Sequence, residues 1–207
     1  MTDTSATSGQ PSALRSLYPP IEPFVTGFLD VGDGQSMYWE VSGNPDGKPV
    51  VFLHGGPGGG AQPAVRQFFD PAAYRIVLLD QRGCGRSLPF AELRGNTTTS
   101  LIDDIERLRK MLKIERWLLF GGSWGSTLAL AYGLKHPERT TGFILRGIFL
   151  GRNYELRWFN EVDGGAPLIF PERWATRSTR WKARIRSSCL RRMKSTRCAI
   201  RGGDRKS

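Results

Sequence analysis

Histidine is scarce in this 207-residue chain, with only His54 and His136, and cysteine is limited to Cys84, Cys189 and Cys198. So few of either, in no metal-type spacing, exclude a zinc ribbon or a disulfide framework and leave the cysteines to be expected as free thiols. No apolar run goes far beyond four residues, as in Val50–Leu53, Ile76–Leu79 and Trp117–Phe120. A membrane helix needs about 20. The first twenty residues are polar and rich in Ser, Thr and Pro, with no apolar centre of signal-peptide type. The expectation is a soluble cytoplasmic protein without cofactor or metal. Acidic residues are also missing from one end. Residues 174–207 carry twelve Lys and Arg against the single acid Asp204, and so hold all of the net charge of +11. The body before them is neutral.

Alternation of two periodicities organises that body. Phe24–Asp30 and Met37–Ser42 read as strands, with Asp33-Gly34 between them as a hairpin signal. Pro49–His54, Arg75–Asp80 and Trp117–Phe120 are short continuous apolar runs, the pattern of strands covered on both faces. Leu101, Ile105, Leu108 and Leu112 recur at helical spacing, predicting a helix over Ser100–Lys113 with Ser100 as its N-cap. A second helix is predicted over Thr127–Lys135, ended by His136-Pro137, and a further strand over Thr141–Arg146. Strands alternating with helices predict an α/β fold with a mostly parallel sheet flanked by helices.

Chemistry concentrates in two glycine-dense turns. Gly121-x-Ser123-x-Gly125 lies between a predicted strand and a predicted helix. There a serine on a tight turn projects its hydroxyl above the sheet, and small neighbours allow the close chain approach. Ser123 is therefore the candidate nucleophile. The turn resembles that of an α/β-hydrolase. His54-Gly55-Gly56-Pro57-Gly58 follows the earlier buried strand, where glycines let a backbone N–H reach a substrate oxygen. The amides of Gly56 and Trp124 are the candidate oxyanion pair, the latter at a helix N-terminus that favours negative charge. His54 is read as shaping its loop rather than as catalytic. No Gly-Lys-Ser/Thr follows the glycines, which argues against a phosphate cradle.

Taken together, Gly43-Asn44-Pro45, His54-Gly55-Gly56-Pro57-Gly58, Asp80-Gln81-Arg82-Gly83-Cys84-Gly85-Arg86-Ser87, Gly121–Leu128, His136-Pro137-Glu138-Arg139 and Leu145–Phe149 resemble the proline iminopeptidase family of serine peptidases. The likeness runs from about Pro23 to Trp174. It implies release of N-terminal proline from peptides through an acyl-enzyme, with Ser123 attacking the prolyl carbonyl. It also implies a division of the chain: a flexible arm over 1–22, the first part of the hydrolase domain over 23–151, and the start of a helical cap over 152–174. A basic tail over 175–207 completes it.

The triad order of this fold is serine, acid, histidine, which puts the base after Ser123. His136 is at the far end of the helix that starts at the turn, roughly 20 Å away, and His54 precedes Ser123. Neither Asp163 nor Asp204 follows a credible strand. The expectation is thus a hydrolase domain cut short, without triad Asp or His, its last strands and most of its cap absent, and without useful peptidase activity. For the tail the leading reading is out-of-frame translation or a miscalled gene end. The rival is a nucleic-acid-binding arm, whose Lys and Arg would neutralise phosphates. Oligomeric state is not readable.

Overall fold

The computed structural model describes residues 16–160. Six strands form one sheet in the order β1-β2-β4-β3-β5-β6, from β1 (Val25–Gly32), β2 (Gln35–Gly43), β3 (Lys48–Leu53), β4 (Tyr74–Leu79), β5 (Trp117–Gly122) and β6 (Thr140–Arg146). Three helices accompany them: α1 (Thr98–Met111), α2 (Trp124–Lys135) and α3 (Asn153–Asn160). The 175–207 tail, with Asp204, and the 161–174 part of the expected cap, with Asp163, lie outside the described residues, as does the arm up to residue 15. Residues 16–22 run beside the short 3-10 turn Pro63–Phe68. Tyr18 N–H donates to Gln67 O at 3.0 Å, and Arg66 donates to Ile21 O at 2.9 Å.

The sheet is mixed rather than uniformly parallel. Asp33 and Gly34 both have positive φ, 57° and 70°, which makes a two-residue turn whose twist matches a hairpin. That turn pairs β1 with β2 antiparallel, and β2 pairs antiparallel with β4 through its other edge. From β4 onward, β3, β5 and β6 are parallel. Side chains alternate between two cores, as strand periodicity requires. Val51, Leu53, Val77, Leu79 and Leu119 face α1 and α2. Val50, Ile76, Leu78 and Phe120 face the other way, onto Val65 and Phe69.

Both helices begin earlier than predicted. Thr97, not Ser100, caps α1: its backbone is extended (φ −106°, ψ 163°), and its Oγ1 accepts from Ser100 N–H at 3.1 Å. Ser100 is already inside the first turn, where its hydroxyl lies 2.9 Å from that of Thr97. The second helix starts at Trp124 rather than Thr127. Gly125 and Ser126 are poor helix formers, but close contact with Leu53 and the hydrogen bond to Ser123 O fix their backbone, so propensity is overridden by packing.

Candidate active site around Ser123

Strand β5 delivers Ser123 directly into α2, with no loop between. The serine stands at φ 55°, ψ −122°, a strained region that L-residues enter only when surrounding structure enforces it. The enforcing contacts are visible. Its N–H donates to Arg146 O at 2.9 Å, and its carbonyl accepts from Ser126 N–H at 2.9 Å and Ser126 Oγ at 2.6 Å. Ser126 Oγ in turn accepts from Phe149 N–H at 3.0 Å, and Thr127 Oγ1 donates to Phe149 O. The segment after β6 is thereby stapled beside the Ser123 turn.

The two flanking glycines are required by close approach. A methyl on Gly121 would lie 2.2 Å from Gly125 O, and one on Gly125 would lie 1.9 Å from Leu53 O. Both distances are inside contact with rigid backbone. The turn can therefore nest against the end of β3 only without side chains at those positions. Ser123 itself is solvent-exposed.

The Gly55–Gly60 loop lies against the turn. A methyl on Gly55 would lie 3.1 Å from Ser123 Cβ and 2.8 Å from Gly122 O. Gly56 follows at φ +121°, where glycine alone is unstrained. The Gly55–Gly60 loop and the start of α2 at Trp124 thus both adjoin Ser123.

Gln81 ties these flanks together. Its Oε1 accepts from Trp124 Nε1 at 3.0 Å, its Nε2 donates to His54 O at 2.8 Å, and its backbone N–H donates to His54 Nε2 at 2.9 Å. Since Nε2 accepts, the His54 proton is on Nδ1, which lies 2.9 Å from Gly55 O. All three side chains are almost fully buried. Asp80 holds the loop's far end: Oδ1 accepts from Ala61 N–H at 2.6 Å, and Oδ2 accepts from Arg86 N–H and Nε, both at 2.8 Å.

Behind Asp80 stands a buried charge network. Glu40, with no solvent exposure, accepts from Arg66 Nε and Arg86 Nη1, each at 2.8 Å. Burial alone would raise the Glu40 carboxyl, but the hydrogen bonds and charge of Arg66 and Arg86 outweigh it and hold the group below its usual range. The Arg86 guanidinium also lies 3.8 Å above the Tyr38 ring. Sequence reasoning assigned no role to Gln81, Asp80 or Arg86. The available signal was polar residues placed immediately after a buried strand.

The second histidine lies elsewhere. His136 is the C-cap of α2, with its N–H donating to Tyr132 O at 2.8 Å and its ring 5.1 Å from that of Tyr132. The 12-residue helix α2 lies between it and Ser123, which puts it about 20 Å away at 1.5 Å per residue. Among the described residues no carboxylate or imidazole is hydrogen-bonded to the Ser123 hydroxyl, and no cluster of three or more His, Cys, Asp or Glu could hold a metal. No described helix is long and apolar enough to cross a membrane.

A strained serine on a tight turn between strand and helix, with glycine-rich backbone on its flank, fits the strand-turn-helix of an α/β-hydrolase fold. The alpha/beta hydrolase fold family profile matches residues 48–182, and the chain belongs to that family. Among curated relatives, a protein of Arabidopsis thaliana named proline iminopeptidase is 62% identical over 160 residues, covering 77% of this chain and 42% of that protein. The proline iminopeptidase of Neisseria gonorrhoeae is 58% identical over 158 residues, covering 76% of this chain and 51% of its own length. This chain therefore spans about half the length of the relatives it matches. Among solved structures, a proline iminopeptidase-related protein from Thermus thermophilus superimposes with a TM-score of 0.52 at 33% identity, over 58% of this chain and 43% of that one.

Proposed function

We propose that this chain carries the nucleophile and oxyanion half of a proline iminopeptidase-type serine aminopeptidase. Ser123 Oγ would attack the carbonyl of an N-terminal prolyl residue, and the peptide remainder would leave as an amine. Water would then hydrolyse the prolyl ester. The Gly56 and Trp124 amides would receive the oxyanion, where preorganised donors act without reorganisation cost. The observation that carries this reading is the backbone of Ser123 at φ 55°, ψ −122°, clamped between Arg146 O and Ser126 with the Gly55–Gly60 loop against it. The names and identities of the relatives support proline as the substrate's first residue.

Attack requires a base to take the hydroxyl proton, and the sequence offers two imidazoles. His54 is held by Gln81 and Gly55 O, and His136 stands at the opposite end of α2. Neither fits the role. Loss of the histidine from a serine hydrolase lowers kcat by about 10⁶. The chain by itself is therefore expected to release no proline from Pro-β-naphthylamide above the level of a Ser123→Ala variant. Robust Ser123-dependent release by the purified chain would refute that part of the reading.

A further inference from the structure

The Gly55–Gly60 loop does little to fix its own backbone. Five of its six residues are glycine, the residue that leaves a chain the most freedom. Its turn is closed by Gly59 N–H, which donates to Gly55 O at 3.2 Å. One end of the loop is tied where His54 meets Gln81. The other end is Ala61, which is buried.

Both backbone groups of Ala61 are held by one ion pair. Asp80 Oδ1 accepts from the Ala61 N–H at 2.6 Å, and Arg86 Nη2 donates to the Ala61 carbonyl at 3.3 Å. Asp80 and Arg86 join each other through Oδ2 and Nε at 2.8 Å. The pair is itself anchored. The Asp80 N–H donates to Tyr38 O at 3.0 Å, and the Asp80 carbonyl accepts from Ser87 Oγ at 2.5 Å. Glu40 and the Tyr38 ring hold the Arg86 guanidinium. A methyl on Gly85 would lie 2.4 Å from Asp80 Oδ2, and one on Gly60 would lie 3.0 Å from Gly85 Cα, so the carboxylate is closely wrapped. Burying a carboxylate costs solvation. An apolar side chain would avoid that cost, but it would leave the buried Ala61 N–H without its acceptor.

We propose that Asp80, locked by Arg86, is a positioning residue for the oxyanion loop: through Ala61 it sets where the glycine turn holds the Gly56 amide beside Ser123. The inference rests on the functional reading above, in which Gly56 is an oxyanion donor. Such a donor acts without reorganisation cost only if it is in place before charge develops. Glycines alone cannot supply that order, so it is imported from the sheet. Strand β4 fixes Asp80, Asp80 and Arg86 fix Ala61, and Ala61 limits the turn that precedes it. Asp80 touches no reacting atom in this scheme.

The test is residue-resolved amide hydrogen exchange, by NMR, on the full 207-residue chain and its Asp80→Ala variant. The telling amide is that of Gly59, which bonds to Gly55 O and not to Asp80. The amides of Leu119 and Phe120 in the middle of β5 report the stability of the sheet. Asp80→Ala should speed Gly59 exchange by at least about tenfold relative to Leu119 and Phe120, the equivalent of one hydrogen bond to a charged group. Where Asp80→Ala does not fold, Arg86→Lys serves in its place. It keeps the charge but loses the fork that grips Asp80 and the Ala61 carbonyl, and should shift Gly59 in the same direction. A residue that merely adds stability would speed Leu119 and Phe120 at least as much as Gly59, and that result would overturn the proposal. So would Gly59 exchange left unchanged. Exchange reads the loop and not turnover, so either negative result removes the positioning role and leaves the assignment of Ser123 to its own assay.

Discussion

The carboxamide of Gln81 accepts a hydrogen bond from the indole Nε1 of Trp124 at 3.0 Å in the interior. Through that bond and the one to His54 O, a single side chain sets the distance between the Gly55–Gly60 loop and the start of α2. Replacing Gln81 by Leu would take the acceptor from the buried Trp124 Nε1, at about 1–3 kcal/mol, and remove one donor to His54 O. The expected result is a loss of at least about 1–3 kcal/mol in urea unfolding. A Gln81→Glu variant keeps the acceptor for Trp124 and should lose less.

The two glycine neighbours of Ser123 on its N-terminal side should behave differently from each other. Gly121→Ala puts a methyl 2.2 Å from Gly125 O, whereas a methyl on Gly122 meets only Arg146 O, at 3.9 Å. Gly121→Ala is expected to fold poorly or not at all. Gly122→Ala is expected to stay within about 0.5 kcal/mol of wild type. Soluble yield and thermal unfolding distinguish the two.

How far the sequence was readable depends on how local the cause was. The strands over Val50–Leu53 and Ile76–Leu79 are legible because burial on both faces imprints continuous apolar runs. Ser123 is legible because its turn demands glycine at fixed offsets. Gln81 is not, since its partners His54 and Trp124 lie 27 and 43 positions away. Only the β4-β3-β5 order of the sheet brings them together. The cap of α1 was ambiguous for another reason: Thr97 and Ser100 are both capping residues, and only the extended backbone of Thr97 decides between them.

That assignment has its own test. Thr97→Ala removes the acceptor for Ser100 N–H and should cost about 0.5–2 kcal/mol. Ser100→Ala leaves the backbone bond in place and should cost clearly less. Paired urea titrations of the two variants measure the difference.

Acid stability should carry a contribution from Glu106. The hydrogen bond from Arg109 comes first among the causes that push its carboxyl from 4.5 down to about 2, against burial and with help from the Tyr132 hydroxyl. A folded value below the unfolded one stabilises the native state above about pH 4.5, and that contribution disappears as pH falls towards 2. Burial pushes Asp104 upward, with the opposite sign. The difference between wild type and Glu106→Gln therefore isolates the effect: it should shrink between pH 4.5 and 2 and be constant at neutral pH.

The central proposal is that Ser123 is a nucleophile that neither histidine of this chain activates. The most direct measurement is the rate at which a fluorophosphonate labels the purified 207-residue chain, read by intact mass and compared with Ser123→Ala. Labelling no faster than that of the Ser123→Ala variant is the predicted result. Fast, stoichiometric labelling of wild type that vanishes in Ser123→Ala would contradict the account, because it would require an activating base within this chain.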